Sequence, residues 1–144
     1  MQFCATNKRY FLLMVSGICF LLSCGNRNEY PPADSALDAG REFIDACLKG
    51  QFKRASFYML PDTANDGQLD RLETDYNKKS GDFRQQYREA SIVIDLVGGD
   101  EMLNDSTHVI HYRNSFDKIG RKVRVIQRGG KWLVDLKYTF DGNL

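Results

Sequence analysis

The sequence predicts an α+β domain in which N-terminal helices pack on a curved antiparallel sheet of four strands. Three observations carry that prediction. Between Ser35 and Tyr76, apolar residues recur at three- and four-residue spacing, as on helices with one buried stripe. Between Ala90 and Phe140 the spacing changes to alternation, as on strands with one buried face. Helices first and a strand meander afterwards is the α+β order rather than that of a parallel sheet.

The chain has 144 residues, enough for one domain plus appendages. A domain of this size buries about two-thirds of its extended surface, so a core needs no disulfides. Three regions follow from the composition: a targeting segment at 1–23, a lipid-bearing cysteine with a tether at 24–33, and the α+β domain at 34–144. In the first, Lys8 and Arg9 give a positive start, and Tyr10 to Leu22 is an uncharged, mostly apolar run. That run is too short to cross a bilayer comfortably and has the form of a cleaved leader. Leu21-Leu22-Ser23-Cys24 then resembles a bacterial lipoprotein lipobox, with Leu three residues before the cysteine and a small residue just before it. The resemblance implies that Cys24 becomes the new N-terminus and that its thiol takes the lipid as a thioether. Two or three acyl chains anchor stably where one does not. The alternative is an ordinary secretory leader with a chance cysteine. By likeness to envelope lipoproteins, Gly25 implies the outer rather than the inner membrane. With no acidic run after Cys24, the expected place is the periplasmic side of the bacterial cell envelope. Gly25 to Ala33, with Pro31-Pro32, reads as a tether of at most about 30 Å.

Charge narrows the partners. The chain carries 20 Lys and Arg against 19 Asp and Glu. Removing Lys8 and Arg9 leaves 18 basic residues against the same 19, so the mature chain is near neutral and has no electrostatic footprint for nucleic acid. Of the four cysteines, Cys4 and Cys19 fall in the leader and Cys24 at its end. Cys47 alone lies in the domain, at a helical core position, so it reads as an inert buried thiol and no disulfide is expected.

Ser35-Ala36-Leu37-Asp38 reads as a capping box that opens the first helix. Leu37, Phe43, Ile44, Cys47 and Leu48 form its stripe, and Gly50 stops it. Phe52, Ala55, Ser56 and Met59 continue the spacing in a second helix ended by Pro61. Asp62 to Gly67 reads as loop. Leu69, Leu72 and Tyr76 indicate a third helix over Gln68–Lys79, broken by Ser80-Gly81-Asp82. Phe83 to Arg88 reads as an extended lead-in to the sheet.

In the sheet, Ala90, Ile92, Ile94 and Leu96 alternate as one half-buried strand, stopped by Gly98-Gly99-Asp100. Thr107 to Arg113 is the next. Two turn types fit Asp117 to Gly120, one with Gly120 left-handed, and they put opposite faces of this strand inward. Hydrophobicity favours Ile110 and Tyr112. Arg128-Gly129-Gly130-Lys131 is the strongest local signal, because two glycines permit a two-residue hairpin turn. That hairpin sets Gln127 opposite Trp132, Val125 opposite Val134 and Ile126 opposite Leu133. It also pairs Arg124 with Asp135, as a correct register should. Val123, Val125 and Val134 then face inward.

Ala39, Phe43-Ile44, Leu48-Lys49-Gly50-Gln51-Phe52 and Ala55 together resemble the first-helix signature of the nuclear-transport-factor-2-like (cystatin-like cone) superfamily. Gly129-Gly130-Lys131-Trp132-Leu133-Val134-Asp135 is similar to the final hairpin of that group. The likeness spans Ser35 to Tyr138 and is closest to small Bacteroidota-type lipoproteins with that cone-shaped fold. It implies a pocket between helix and sheet, where enzymes of the group hold an acid–base pair, and a sheet face through which members often dimerise. Its motifs are packing motifs and leave activity open.

Candidate catalytic residues are therefore His111, Tyr112 and Asp95. Each has an ordinary structural explanation, and Asp135 is better explained as the surface partner of Arg124. His108 and His111 lie three apart on a strand, hence on opposite faces, so they cannot share a metal. The sequence has no P-loop, dinucleotide fingerprint, nucleophile elbow or zinc spacing, and no cofactor is expected. Ile126 and Leu133 put apolar area on the outer sheet face and are the candidate interface for a homodimer or partner. The expected role is a membrane-anchored, non-enzymatic binding module. The alternatives are an isomerase- or dehydratase-like acid–base enzyme and a holder of a small apolar ligand in the cone.

Overall fold

A computed structural model describes residues 30–95 and 97–140. The leader, Cys24 and the tether up to residue 29 lie outside them, as do Leu96 and residues 141–144. The chain is α+β, with helices packed on an antiparallel sheet of five strands.

Helix α1 (Ala36–Lys49) begins as its cap predicts. Ser35 accepts from the Asp38 N–H at 3.1 Å, and the Asp38 carboxylate accepts in return from the Asp34 N–H rather than from that of Ser35. Gly50 ends it in the left-handed conformation at φ 69°. Helix α2 (Phe52–Phe57) is shorter than the apolar spacing suggests. Beyond it the chain runs parallel beside the last strand at Met59: the Leu60 N–H donates to Val134 O, and the Val134 N–H to Tyr58 O. Met59 thus covers a sheet edge instead of continuing a helix.

The next two elements correct the sequence expectation. Helix α3 (Thr63–Lys78) starts five residues before Gln68, because Asp62 is an N-cap that accepts from the Ala64 and Asn65 N–H groups. The polar run had read as loop. Helix α4 (Gly81–Glu89) occupies the segment expected to be extended. Ser80 caps it by accepting from the Phe83 N–H, and Phe83 and Tyr87 stack one turn apart.

Strand β1 (Ile92–Ile94) and strand β2 (Asp100–Asn104) both pair with strand β3 (Thr107–Asn114). The expected strand is β1 alone, and β2, beyond the glycines that read as its stop, makes the sheet five-stranded rather than four-stranded. Ile94 pairs with Tyr112 and Asp100 with Ile110, so on β3 only His111 separates the two pairings. Gly98 at φ 75° permits the excursion, and the His111 N–H closes it on Gly99 O. The glycine pair that read as a stop is a bulge, after which the chain rejoins the same partner. Strand β2 is exposed throughout, so pairing holds it and burial does not.

Strand β4 (Arg121–Arg128) pairs with β3 and with strand β5 (Lys131–Asp135). The β4–β5 register is the one the hairpin predicts at every pair, including Arg124 with Asp135. Gly129 and Gly130 both take positive φ. Ile110 and Tyr112 face inward, opposite Val123 and Arg121. The turn before β4 is neither of the two forms expected. Lys118, not Gly120, is left-handed, and the Asn114 side chain accepts from the Phe116 and Asp117 N–H groups.

The core lies where α1 crosses the sheet. Phe43, Ile44, Leu48, Ile110, Val123, Val125, Val134 and Leu136 are buried together, with Trp132 packed against them. Each such side chain contributes about 1.5–3 kcal/mol by leaving water. Tyr30 and Ala33 also lie against this core, and the Tyr58 hydroxyl donates to Pro31 O at 2.8 Å. The short helix α5 (Lys137–Phe140) ends the described chain.

Candidate functional site

Beside the core, helices α1 to α4 and the β3–β4 turn border a cleft of about 380 Å³. Its walls are aromatic. Phe52 meets Tyr76 edge-on at 5.6 Å, and Phe83 stacks on Tyr87 at 5.4 Å. Gly50 sets the position of Tyr76: a Cβ there would fall 2.7 Å from the Tyr76 ring, so the helix stop is also the ring's seat. A second space of about 170 Å³ lies deeper, between Phe43, Leu48, Val123, Leu136 and Tyr112. Cys47, Leu72, Tyr87 and Arg121 line both spaces.

An ion pair stands at their junction. Arg121 grips both carboxylate oxygens of Asp117, at 3.0 and 2.6 Å, and also donates to Ile119 O. These bonds hold the Asp117 carboxyl below its ordinary range and raise Arg121 further. Burial acts the opposite way on the neutral groups. It pushes the Cys47 thiol up to about 12, the Tyr112 phenol well above its usual value, and Tyr87 in the same direction. These five groups keep one protonation state through the neutral range. The cleft presents hydroxyls, a thiol and a closed ion pair, which suits holding a molecule better than moving a proton.

The expected catalytic trio does not converge. Asp95, His111 and Tyr112 border one shallow notch of about 250 Å³. Strand alternation sends Tyr112 inward and His111 outward. Asp95 is exposed and bound to Arg113 at 2.8 Å, while His111 Nε2 lies 3.2 Å from Glu101. His108 faces inward, 2.7 Å from Asp100 and edge-on to Trp132. The two histidines therefore stand on opposite faces, and no cluster among the described residues would hold a metal ion.

Asp135 is 4 % exposed and not the surface partner expected. Arg124 hydrogen-bonds it, and Tyr138 lies over that guanidinium at 4.7 Å, shielding the pair from water. Ile126 and Leu133 are half-buried. The large apolar residues in the open among those described are Val93, Val97, Met102, Leu103 and Ile119, mostly along the β1–β2 edge.

Sequence reasoning missed Phe83, Tyr87, Asp117 and Arg121 as a set. Two signals pointed to them: the four-residue spacings Phe83–Tyr87 and Asp117–Arg121, and a serine three residues before Phe83. No helix of the described residues is long and apolar enough to cross a membrane. No protein-family model, curated protein or solved structure matches this chain.

Proposed function

We propose that this chain is a lipid-anchored lipoprotein of the bacterial envelope that works as a non-enzymatic binding module, its domain a nuclear-transport-factor-2-like cone. The aromatic cleft bordered by α1 to α4 and the β3–β4 turn is the observation that carries the binding reading. Cys47, Tyr87, Asp117 and Arg121 in its lining, and Tyr112 in the deeper space behind it, keep single protonation states near neutrality, which suits a ligand with an apolar body. The leader, the small Ser23 and Cys24 in that order support the anchor. With Tyr30 docked on the domain, the leash from Cys24 is six residues, about 20 Å at full stretch. The domain then works close to the periplasmic surface of the outer membrane.

Two measurements test this. Cells expressing the parent or Cys24→Ser are fractionated; the parent should sediment with membranes and the variant should not. Equal membrane retention of both removes the anchor. The uncharged ring compound 2-naphthylmethanol should bind the parent saturably and Leu72→Arg not at all. Undiminished binding by that variant removes the cleft as the site.

A further inference from the structure

We infer that the cleft takes an anion with a planar aromatic body; this names the ligand class and rests on the binding reading above. The body is set by the walls. Phe52, Tyr76, Phe83 and Tyr87 offer both ring faces and ring edges, and aromatic pairs gain from offset or edge-on contact beyond their buried area. A space of about 380 Å³ suits a two-ring molecule.

The charge is set by what the rim leaves unpaired. Two carboxylates line the cleft. Asp75 is bound to Lys78 at 3.3 Å, and both oxygens of Asp117 are taken by Arg121. Lys79 remains at the rim, its ammonium 5.4 Å from the Phe83 ring centroid and with no carboxylate in ion-pair range among the described residues. Arg88 donates to the hydroxyl of the wall residue Tyr76 at 3.4 Å. Lys79 is thus the lining cation left without a carboxylate, so an anionic group anchored beside it finds complementary charge while its ring enters the cleft. Because Lys79 is exposed, that anionic group stays partly hydrated and avoids the cost of burying a charge.

The test compares three probes that share a ring system and differ in charge: 2-naphthoate, 2-naphthylmethanol and 2-naphthylmethylamine. The purified full chain is reconstituted in phosphatidylcholine vesicles and equilibrium-dialysed against each, with protein-free vesicles as blank. At low ionic strength the naphthoate should bind about threefold to tenfold tighter than the alcohol, and the amine more weakly than either. Lys79→Gln should remove most of that naphthoate-over-alcohol ratio and Lys79→Glu all of it. Naphthoate and alcohol binding equally to the parent, or an advantage untouched by either Lys79 variant, overturns the charge inference and leaves the cleft standing. Failure of all three probes to saturate overturns the cleft reading itself.

Discussion

Replacing Asn65 by Leu tests whether one buried amide joins three parts of the fold. Asn65 is fully buried in the first turn of α3. Its amide N–H groups donate to Leu60 O at 3.1 Å and to the Asp62 carboxylate at 3.0 Å. Its amide oxygen accepts from the Lys137 N–H at 2.9 Å, seventy-two residues away. One side chain therefore ties the edge-covering segment to the helix cap and to the corner after β5. Leucine has the same branching, with methyl groups in place of the amide oxygen and nitrogen, and makes none of these bonds. It leaves the Leu60 carbonyl and the Lys137 N–H without partners, and an unsatisfied buried group costs about 1–3 kcal/mol. Lys137 is partly exposed, so water recovers some of its share, and the expected loss is about 2–4 kcal/mol. Urea unfolding followed by circular dichroism measures it, as a lower midpoint at unchanged slope. A loss within about 0.5 kcal/mol of zero would refute the reasoning, since it would mean that water replaces this amide without cost.

Three further outcomes follow from the same structure. Gly50→Ala should destabilise by about 1–2 kcal/mol from its left-handed backbone and also weaken naphthyl binding, because the new Cβ displaces the Tyr76 ring; stability and binding measured together check this. Arg124→Met leaves the buried Asp135 carboxylate with Lys137 at 3.6 Å as its remaining cation, and should cost about 3 kcal/mol in thermal unfolding, much of it recovered in the double variant with Asp135→Leu. Asp117 has a folded pKa depressed below the ordinary aspartate value of 3.8, so its contribution is complete above that pH and is lost as pH falls through the lower folded value. The Tm difference between the parent and Asp117→Asn should therefore be widest near neutrality and close below about pH 3.8; a difference that grows in acid contradicts the pairing.

The hairpin, the first helix and the inward faces of β4 and β5 were legible in the chain itself. In each case the cause is local. Two adjacent glycines admit only a few turns, Ser35 and Gly50 bracket one apolar stripe, and a one-residue slip would turn Val123, Val125 and Val134 outward. What the chain alone left unread depends on partners distant in sequence. Asp62 caps a helix whose first turn is polar, and it stays ordered because Asn65 and Lys137 hold it from the far corner. Strand β2 has no buried face to give it an alternating pattern, and exists because β3 offers it a free edge. Asp135 sits on a face that composition would place in water, until Arg124 and Tyr138 close over it. The cleft is the furthest case: Phe52, Tyr76, Tyr87 and Arg121 come from four different elements, each unremarkable in its own segment. Local sequence decides which way a side chain faces along its own helix or strand. Only the packing of one element on another decides which side chains then share a space.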